Sequence, residues 1–341
     1  MFETTLALLP SPPLRWAVTG AAGFIGSNLV EALLRGGQQV VGLDDFSTGH
    51  LHNLDDVRAA VGDDAFGRFR LVEGDIRDLD TCREAVDGAD VVLHQAALGS
   101  VPRSIATPLA THAVNVDGFV HMLVAARDAG VRRFVYASSS SVYGDHPGLP
   151  KVEDAIGTPL SPYAVSKRTN ELYARTFFDH YGLETLGLRY FNVFGPRQDP
   201  EGTYAAVIPR WINTLLKGER CRIHGDGETS RDFSFVANVV QANVRAAMAP
   251  SSAAGTVYNI AVGDRATLNE LHACLVSLLA ERGEINADRL PEYGPFRPGD
   301  IRHSHAEVSR ARDMLGYAPT HLLEEGLAIA LNHYIAPTQA V

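Results

Sequence analysis

Within the run SPYAVSK, Tyr163 and Lys167 stand four residues apart, a spacing that puts both side chains on one face of a helix. A compact ammonium beside a phenol lowers the phenol pKa by charge proximity, so the pair can accept a proton near neutral pH. Lysine is a selective choice here, since only three of the 30 Lys and Arg residues are lysines. In isolation the same spacing means an exposed i,i+4 pair. Upstream, ASSSSVYG follows the apolar run RRFVYA. Serine disfavours strand interiors and favours turns, so a strand ends there and offers hydroxyls at its carboxyl end, for the turn alone or for chemistry.

A second constellation lies near the start. VTGAAGFIGSNLVEALL carries Gly20, Gly23 and Gly26 at GxxGxxG spacing, after the first candidate strand and at the head of a helical pattern. Such glycines allow a tight turn, close backbone approach to a pyrophosphate and close helix-to-sheet packing, and the helix N-terminus supplies N–H groups. The triplet alone is a weak signal of a glycine-rich turn. It is answered by Asp44, 24 residues after Gly20 at the end of the second strand, in GLDD. A carboxylate there accepts from both hydroxyls of an adenosine ribose and repels a 2′-phosphate, which favours NAD over NADP. Lys167 can then donate to the hydroxyls of the nicotinamide ribose. Asp75, ending the third strand in EGDIRD, either reaches the adenine or caps a turn.

The elements that must position these groups alternate along the chain. WAVTG, QVVGLD, RFRLVEGD, VVLHQAA, RFVYASS and ETLGLRYFNV read as strands, with helical patterns such as SNLVEALLRGG and NVDGFVHMLVAARDAG between them. That alternation predicts a doubly wound α/β fold, a parallel sheet with helices on both faces. After Tyr190 the regularity gives way to loops rich in Gly and Pro and scattered helices, a smaller second lobe. The expected division is a leader over 1–14 and a nucleotide-binding domain over 15–189 with a returning segment near 232–262. Residues 190–231 and 263–335 form the smaller lobe.

Composition excludes several classes. A net charge of −10 argues against a general nucleic-acid or acidic-membrane surface, and no window approaches 18 uninterrupted apolar residues. The N-terminal MFETTLALLPSPPLR lacks an early cation and is broken by prolines, so it reads as a poorly ordered leader. Three scattered cysteines without a CxxC suggest neither disulfides nor zinc and fit a reducing compartment, the cytoplasm. GxSxG and HEXXH are absent, and His94, inside VVLHQAA, reads as a satisfied core histidine. No metal site is expected.

In their order and spacing, TGAAGFIGSNLV, HQAA, NVDG, SSSSVYG, SPYAVSK, LRYFNVFGPRQ and RDFSFV closely resemble the extended short-chain dehydrogenase/reductase superfamily, in its nucleotide-sugar branch, over about residues 15–304. The resemblance implies a Rossmann domain, NAD as cofactor and a UDP-sugar substrate, handled by a cytoplasmic homodimer that binds neither nucleic acid nor membrane. It places the catalytic serine four positions before the tyrosine of VYG, at Ser139, beside Tyr163 and Lys167. NAD would be held by Gly20, Gly23, Phe24, Ile25, Gly26, Asp44, Asp45, Asp75 and Ile76. Gln95, Ala96, Ala97, Asn115, Tyr163, Lys167 and Tyr190 would complete that site. The sugar nucleotide would meet Gly99, Ser100, Arg103, Ser139, Ser140, Asn192, Gln198 and Val207, with Arg231 and Arg297 clamping the diphosphate unless they are solvent-facing loop arginines.

All members of this branch begin by oxidising a sugar carbon, so the residues around the 4-keto intermediate decide the product. Resembling 4,6-dehydratases carry an Asp-Glu pair in the serine segment, and decarboxylating relatives a glutamate just before VYG. This chain has Ser140, Ser141 and Val142 there. With no extra acid or base, return of the hydride to the opposite face, C4 epimerisation, is the simplest outcome. Tyr163 as phenolate would take the O4 proton and Ser139 would orient O4. In resembling epimerases the position of Ser304, in DIRHSHAE, acts as a gate at which a small residue leaves room for a C2 N-acetyl group. Several segments are also similar to those of O-antigen-pathway UDP-N-acetylhexosamine 4-epimerases, so UDP-GlcNAc and UDP-GalNAc are the expected substrates, in polysaccharide biosynthesis. Plain UDP-hexoses, UDP-uronic acids read by Arg103, a 4,6-dehydratase and a non-enzymatic NAD sensor are the alternatives.

Overall fold

The computed structural model describes residues 1–201, 205–296 and 301–335. The apolar runs form β1 (Arg15–Thr19), β2 (Gln39–Asp44), β3 (Phe69–Glu73), β4 (Val91–His94), β5 (Arg133–Ser139) and β6 (Glu184–Tyr190), and β7 (Thr256–Ile260) joins them late in the chain. Among the described residues these seven strands make one parallel sheet in the order β7-β6-β5-β4-β1-β2-β3. The helices that return the chain include α1 (Phe24–Arg35), α2 (Leu79–Val86), α3 (Gly118–Asp128), α4 (Pro162–Tyr181) and α5 (Val236–Met248). This is the doubly wound sheet that strand-helix alternation predicts.

The two faces of the sheet carry separate cores because successive strand residues point to opposite sides. Trp16, Val18, Leu93 and Val135 pack against α1 and α5, whereas Ala17, Val92, Phe134 and Tyr136 pack against α2, α3 and α4. Arg133 is fully buried at the start of β5, where it bonds to Glu184 of β6 at 2.6 and 2.9 Å and to the carbonyls of Ala246 in the last turn of α5 and Ala249 just after it. The stretch Pro108–Asp128 is the one described segment long and apolar enough to cross a membrane, and its Phe119, Met122 and Leu123 lie in the second core.

From β1 the chain moves outward to β2 and β3, then crosses back to β4 on the other side of β1. Such a reversal opens a crevice at the carboxyl ends of the strands, the usual place for a ligand in this architecture. Beyond β6 the chain also forms two-stranded ladders and helices, among them Val207–Leu216 and Leu268–Glu281. Asp232, fully buried, binds its segments together by accepting N–H bonds from Val262 at 3.0 Å and Gly263 at 3.2 Å.

The N-terminus departs from the expected poorly ordered leader. Residues Glu3–Leu6 are helical and Phe2 is buried in the first core, while Gln38 donates to the Pro10 carbonyl and accepts from the Trp16 indole. The apolar residues of this segment cover one end of α1 and α5. Phe2→Ala should therefore lower the unfolding free energy by about 3 kcal/mol. An unchanged urea midpoint would return this segment to a leader without a structural role.

Candidate active site

The crevice between β1 and β4 encloses about 770 Å³. At one end the backbone turns sharply after β1. Gly20 has φ +69°, and a Cβ there would stand 2.9 Å from the Ala96 nitrogen. A Cβ on Gly26 would lie 1.9 Å from the Gly20 carbonyl oxygen, so α1 packs closer to the loop than any side chain permits. Gly23 is the N-cap of α1. Gly20, Gly23, Phe24, Ile25 and Gly26 all line the crevice, and the first N–H groups of α1 open into it.

Asp44 ends β2 at the same end. Its carboxylate accepts from the Ala22 N–H at 2.8 Å and the Phe46 N–H at 2.9 Å, which aims it, and burial raises its pKa above the ordinary carboxylate value. Asp45, Ile76, Gln95, Ala96 and Ala97 line the crevice beside it. The glycine cradle, the N-terminus of α1 and the Asp44 carboxylate together fit a dinucleotide with a free 2′-hydroxyl. Tyr190 also lines the crevice, with its hydroxyl donating to Gln95 and accepting from Asn243, so it braces the floor. His94 is the satisfied core histidine anticipated: it bonds to the Thr19 hydroxyl at 2.9 Å, and burial pushes it down to about 3.

Tyr163 and Lys167 line the same crevice. Ser161 caps α4 by accepting the Ala164 N–H, and Pro162 occupies the first turn. One face of α4 then presents Tyr163 and Lys167 to the end of β5. Ser139 accepts the Ser141 N–H at 3.1 Å, and its hydroxyl lies near enough to the Tyr163 phenol to lower the phenol's pKa. The four serines thus divide the work: Ser138 bonds inward to Glu171, Ser139 meets the tyrosine, Ser140 lines the crevice, and the Ser141 hydroxyl is buried without a hydrogen-bond partner.

The electrostatics of the pair differ from the sequence expectation. Withdrawal from water raises the Tyr163 phenol, and the Ser139 contact pulls it only partway back. The Lys167 ammonium lies 5.9 Å from the centre of the tyrosine ring and donates to the Ala137 carbonyl at 2.8 Å. It is aimed at the strand and the crevice rather than at the phenol oxygen, and burial lowers it to about 8.

The crevice is also lined by Gly99, Ser100, Arg103, Asn192 and Gln198. Ser100 caps a short helix that begins at Val101 by accepting the Arg103 N–H. Asn192 takes φ +30°, an uncommon conformation that asparagine tolerates, and donates to the Asp232 carbonyl. Arg197, buried in the same loop, pairs with Glu31 and bonds to Asn28 at 3.0 Å, tying the loop to α1.

Five expected residues lie outside this lining. Asp75 turns its carboxylate to Arg77, which lowers its pKa. Asn115 is buried and bonds to both backbone groups of Leu98, holding the loop that carries Gly99. Val207 begins a helix and packs on the core, and its neighbours Ala205 and Ala206 face the crevice instead. The Arg231 guanidinium bonds to the carbonyls of Ser230 and Arg302, and the Ser304 N–H donates to the Ser230 carbonyl, so Arg231 and Ser304 come together. Arg297 lies outside the described residues. Sequence reasoning missed Ser47, Thr48 and His50, whose signal was the polar loop after Asp44, and Ala205 and Ala206, which carry none. Gly26→Ala should keep the folded circular dichroism spectrum but lose bound NAD, measured as dinucleotide released on denaturation. Wild-type NAD content would remove the cradle from cofactor binding.

The model of the NAD dependent epimerase/dehydratase family matches residues 16–261. The UDP-glucose 4-epimerase of Mycolicibacterium smegmatis is 42% identical over 317 residues, covering 92% of this chain and 96% of that one. The solved UDP-N-acetylglucosamine 4-epimerase of Methanobrevibacter ruminantium, in complex with UDP-N-acetylmuramic acid, is 36% identical with a TM-score of 0.87 over 95% of this chain and 98% of its own. The Bacillus cereus UDP-glucuronic acid 4-epimerase, solved with UDP-glucuronic acid and NAD, is 28% identical with a TM-score of 0.82, covering 94% and 99%. With that extent of similarity across sequence and structure, the chain belongs to the NAD dependent epimerase/dehydratase family, as an enzyme of its NAD-using UDP-sugar 4-epimerases.

Proposed function

We propose that the protein interconverts UDP-GlcNAc and UDP-GalNAc in preference to the plain UDP-hexoses. The observation that carries this reading is the size of the side chains at the sugar end of the crevice. Gly99, Ser100, Ser139, Ser140, Ala205 and Ala206 are among the lining residues, beside the larger Arg103, Asn192 and Gln198, and small side chains of this kind are compatible with an acetamido group. The chain also carries serine at 304, the position at which the resembling epimerases have their gate, with no aromatic ring there.

Bound NAD supplies the hydride acceptor and donor. Tyr163 takes the O4 proton, Ser139 holds O4 by a hydrogen bond, and Lys167 donates within the cofactor site. Arg231 and Arg297 serve the diphosphate, as guanidinium forks suit phosphate oxygens. The 4-keto sugar, turned about its diphosphate, is reduced on its other face, so no NADH accumulates. A second reading is favoured by Arg103, a cation in the crevice lining that could receive a C6 carboxylate, as a UDP-uronic acid requires.

The working form in this reading is a homodimer. Val165, Leu172 and Tyr173 form an exposed stripe on α4, continued by Ile105 and by Leu109, which is 86% exposed. A second copy of this chain, covering that stripe, would brace the helix that carries Tyr163 and Lys167. Three unpaired cysteines fit a cytoplasmic setting.

Purified enzyme given UDP-GlcNAc, UDP-GalNAc, UDP-Glc, UDP-Gal and UDP-glucuronate in parallel should show the highest kcat/KM on the N-acetylated pair. Ser304→Tyr should abolish that activity selectively. Preference for UDP-Gal, or N-acetylated activity surviving in the tyrosine variant, would overturn the assignment, and preference for the uronate would move it to the Arg103 reading. Tyr163→Phe should keep fold and NAD yet lose at least ~10²-fold in turnover. Leu172→Glu should convert a dimer to a monomer in light scattering, and a wild-type monomer would dismiss the interface.

A further inference from the structure

Helix α4 meets the end of β5 at three successive turns. Tyr163 lies beside Ser139, Lys167 donates to the Ala137 carbonyl, and Glu171, one turn further on, accepts from the Ser138 hydroxyl at 2.7 Å. The first two rungs belong to the catalytic pair. The third is a carboxylate only 4% exposed.

Glu171 is fully coordinated. Its Oε1 accepts from Ser138 and from the Arg189 Nε at 2.8 Å, and its Oε2 accepts from the Arg189 Nη2 and the Arg168 Nη1, both at 2.9 Å. Arg189 stands opposite Ser138 in the β5–β6 register and donates its remaining Nη1 to the Glu153 carbonyl at 2.8 Å. A buried carboxylate with two guanidiniums is a costly way to hold a helix on a sheet, since well-packed apolar residues would serve as well. Its position beside a buried ammonium gives it another use.

We propose that Glu171 is a positioning residue for the acid-base pair: its bond to Ser138 fixes the strand end that carries Ser139, and its carboxylate, one helical turn beyond Lys167, supplies the negative charge on that buried face of α4. The groups that act on Lys167 are Glu171 from its own helix, Tyr163 at its ring face and His94 from β4, which is held neutral. Those acting on Glu171 are Arg168, Arg189 and the buried Tyr136. Burial drives the Lys167 ammonium down to about 8, and the Glu171 charge is the influence opposing that fall. Removing the charge while leaving Arg168 and Arg189 in place would leave two cations and no anion near the ammonium. Lys167 would then lose its proton at lower pH, and with it the positive charge that favours a Tyr163 phenolate. The argument rests on the acid-base roles of Tyr163 and Lys167 and is independent of which UDP-sugar is preferred.

The chain contains three lysines, Lys151, Lys167 and Lys217, so ε-¹³C-lysine labelling of the NAD-loaded enzyme follows each by NMR. In Glu171→Gln the Lys167 resonance should titrate about one pH unit or more below wild type, with Lys217 unmoved. The alkaline limb of kcat/KM on the best wild-type substrate should shift by the same amount. Glu171→Asp, which keeps the charge, should lower the rate without moving the limb. Arg168→Gln alone should shift the Lys167 titration upward, and combined with Glu171→Gln it should bring the titration back toward wild type. If Glu171→Gln does not fold, the Arg168→Gln shift decides the matter. An unmoved Lys167 titration, with a rate loss equal at every pH, would reduce Glu171 to a structural group. Because the titration is read without substrate, that outcome is distinct from failure of the epimerase reading.

Discussion

Every strand of the sheet runs in the same direction, and that one constraint gathers the chemistry. The carboxyl ends of β1, β2, β4, β5 and β6 lie along one edge, so Gly20, Asp44, Gln95, Ser139 and Tyr190 meet although up to 170 residues separate them. The reversal of strand order at β1 keeps any one crossover from filling the space above that edge. A single antiparallel insertion between β1 and β5 would turn one of these groups to the far side of the molecule.

Close approach is the second requirement, and it is met by removing atoms. α1 crosses the loop after β1 with no room for a side chain at Gly20 or Gly26, and that proximity brings its N–H groups to the crevice. The loop that faces it across the crevice is held from behind, by Arg197 on Glu31 and Asn28 of the same helix and by the Tyr334 hydroxyl on the carbonyls of Gly195 and Gln198. The cofactor end and the sugar end of the crevice therefore share one mechanical support.

Charge inside the fold is organised around α4. Lys167 is buried close to the strand whose serine it serves, and the carboxylate one turn along is balanced by Arg189 and Arg168. Burial alone raises the Tyr163 phenol and lowers the Lys167 ammonium, both in the wrong direction for a phenolate-ammonium pair, so the proton transfer proposed at Tyr163 would depend on the charges around α4. The low dielectric that makes the site selective also makes each unpaired charge expensive.

The sequence by itself determined the strand and helix order, the glycine loop with its answering acid, and the Ser-Tyr-Lys constellation. These depend on local propensity, on spacing within one element and on steric needs that a single residue type satisfies. It did not determine which way the long side chains turn. Asp75 was free to face an adenine or Arg77, the Lys167 ammonium could aim at the phenol or at a carbonyl, and Arg231 could reach outward or fold onto Ser230 and Arg302. Nor did it show that the first residues cover α1, that Asn115 holds the Leu98 loop, or that Ala205 and Ala206 line the crevice. Those outcomes are contacts between residues far apart in the chain, decided by which surfaces need covering and which buried polar groups need partners once the sheet has closed, and tertiary structure alone supplies them.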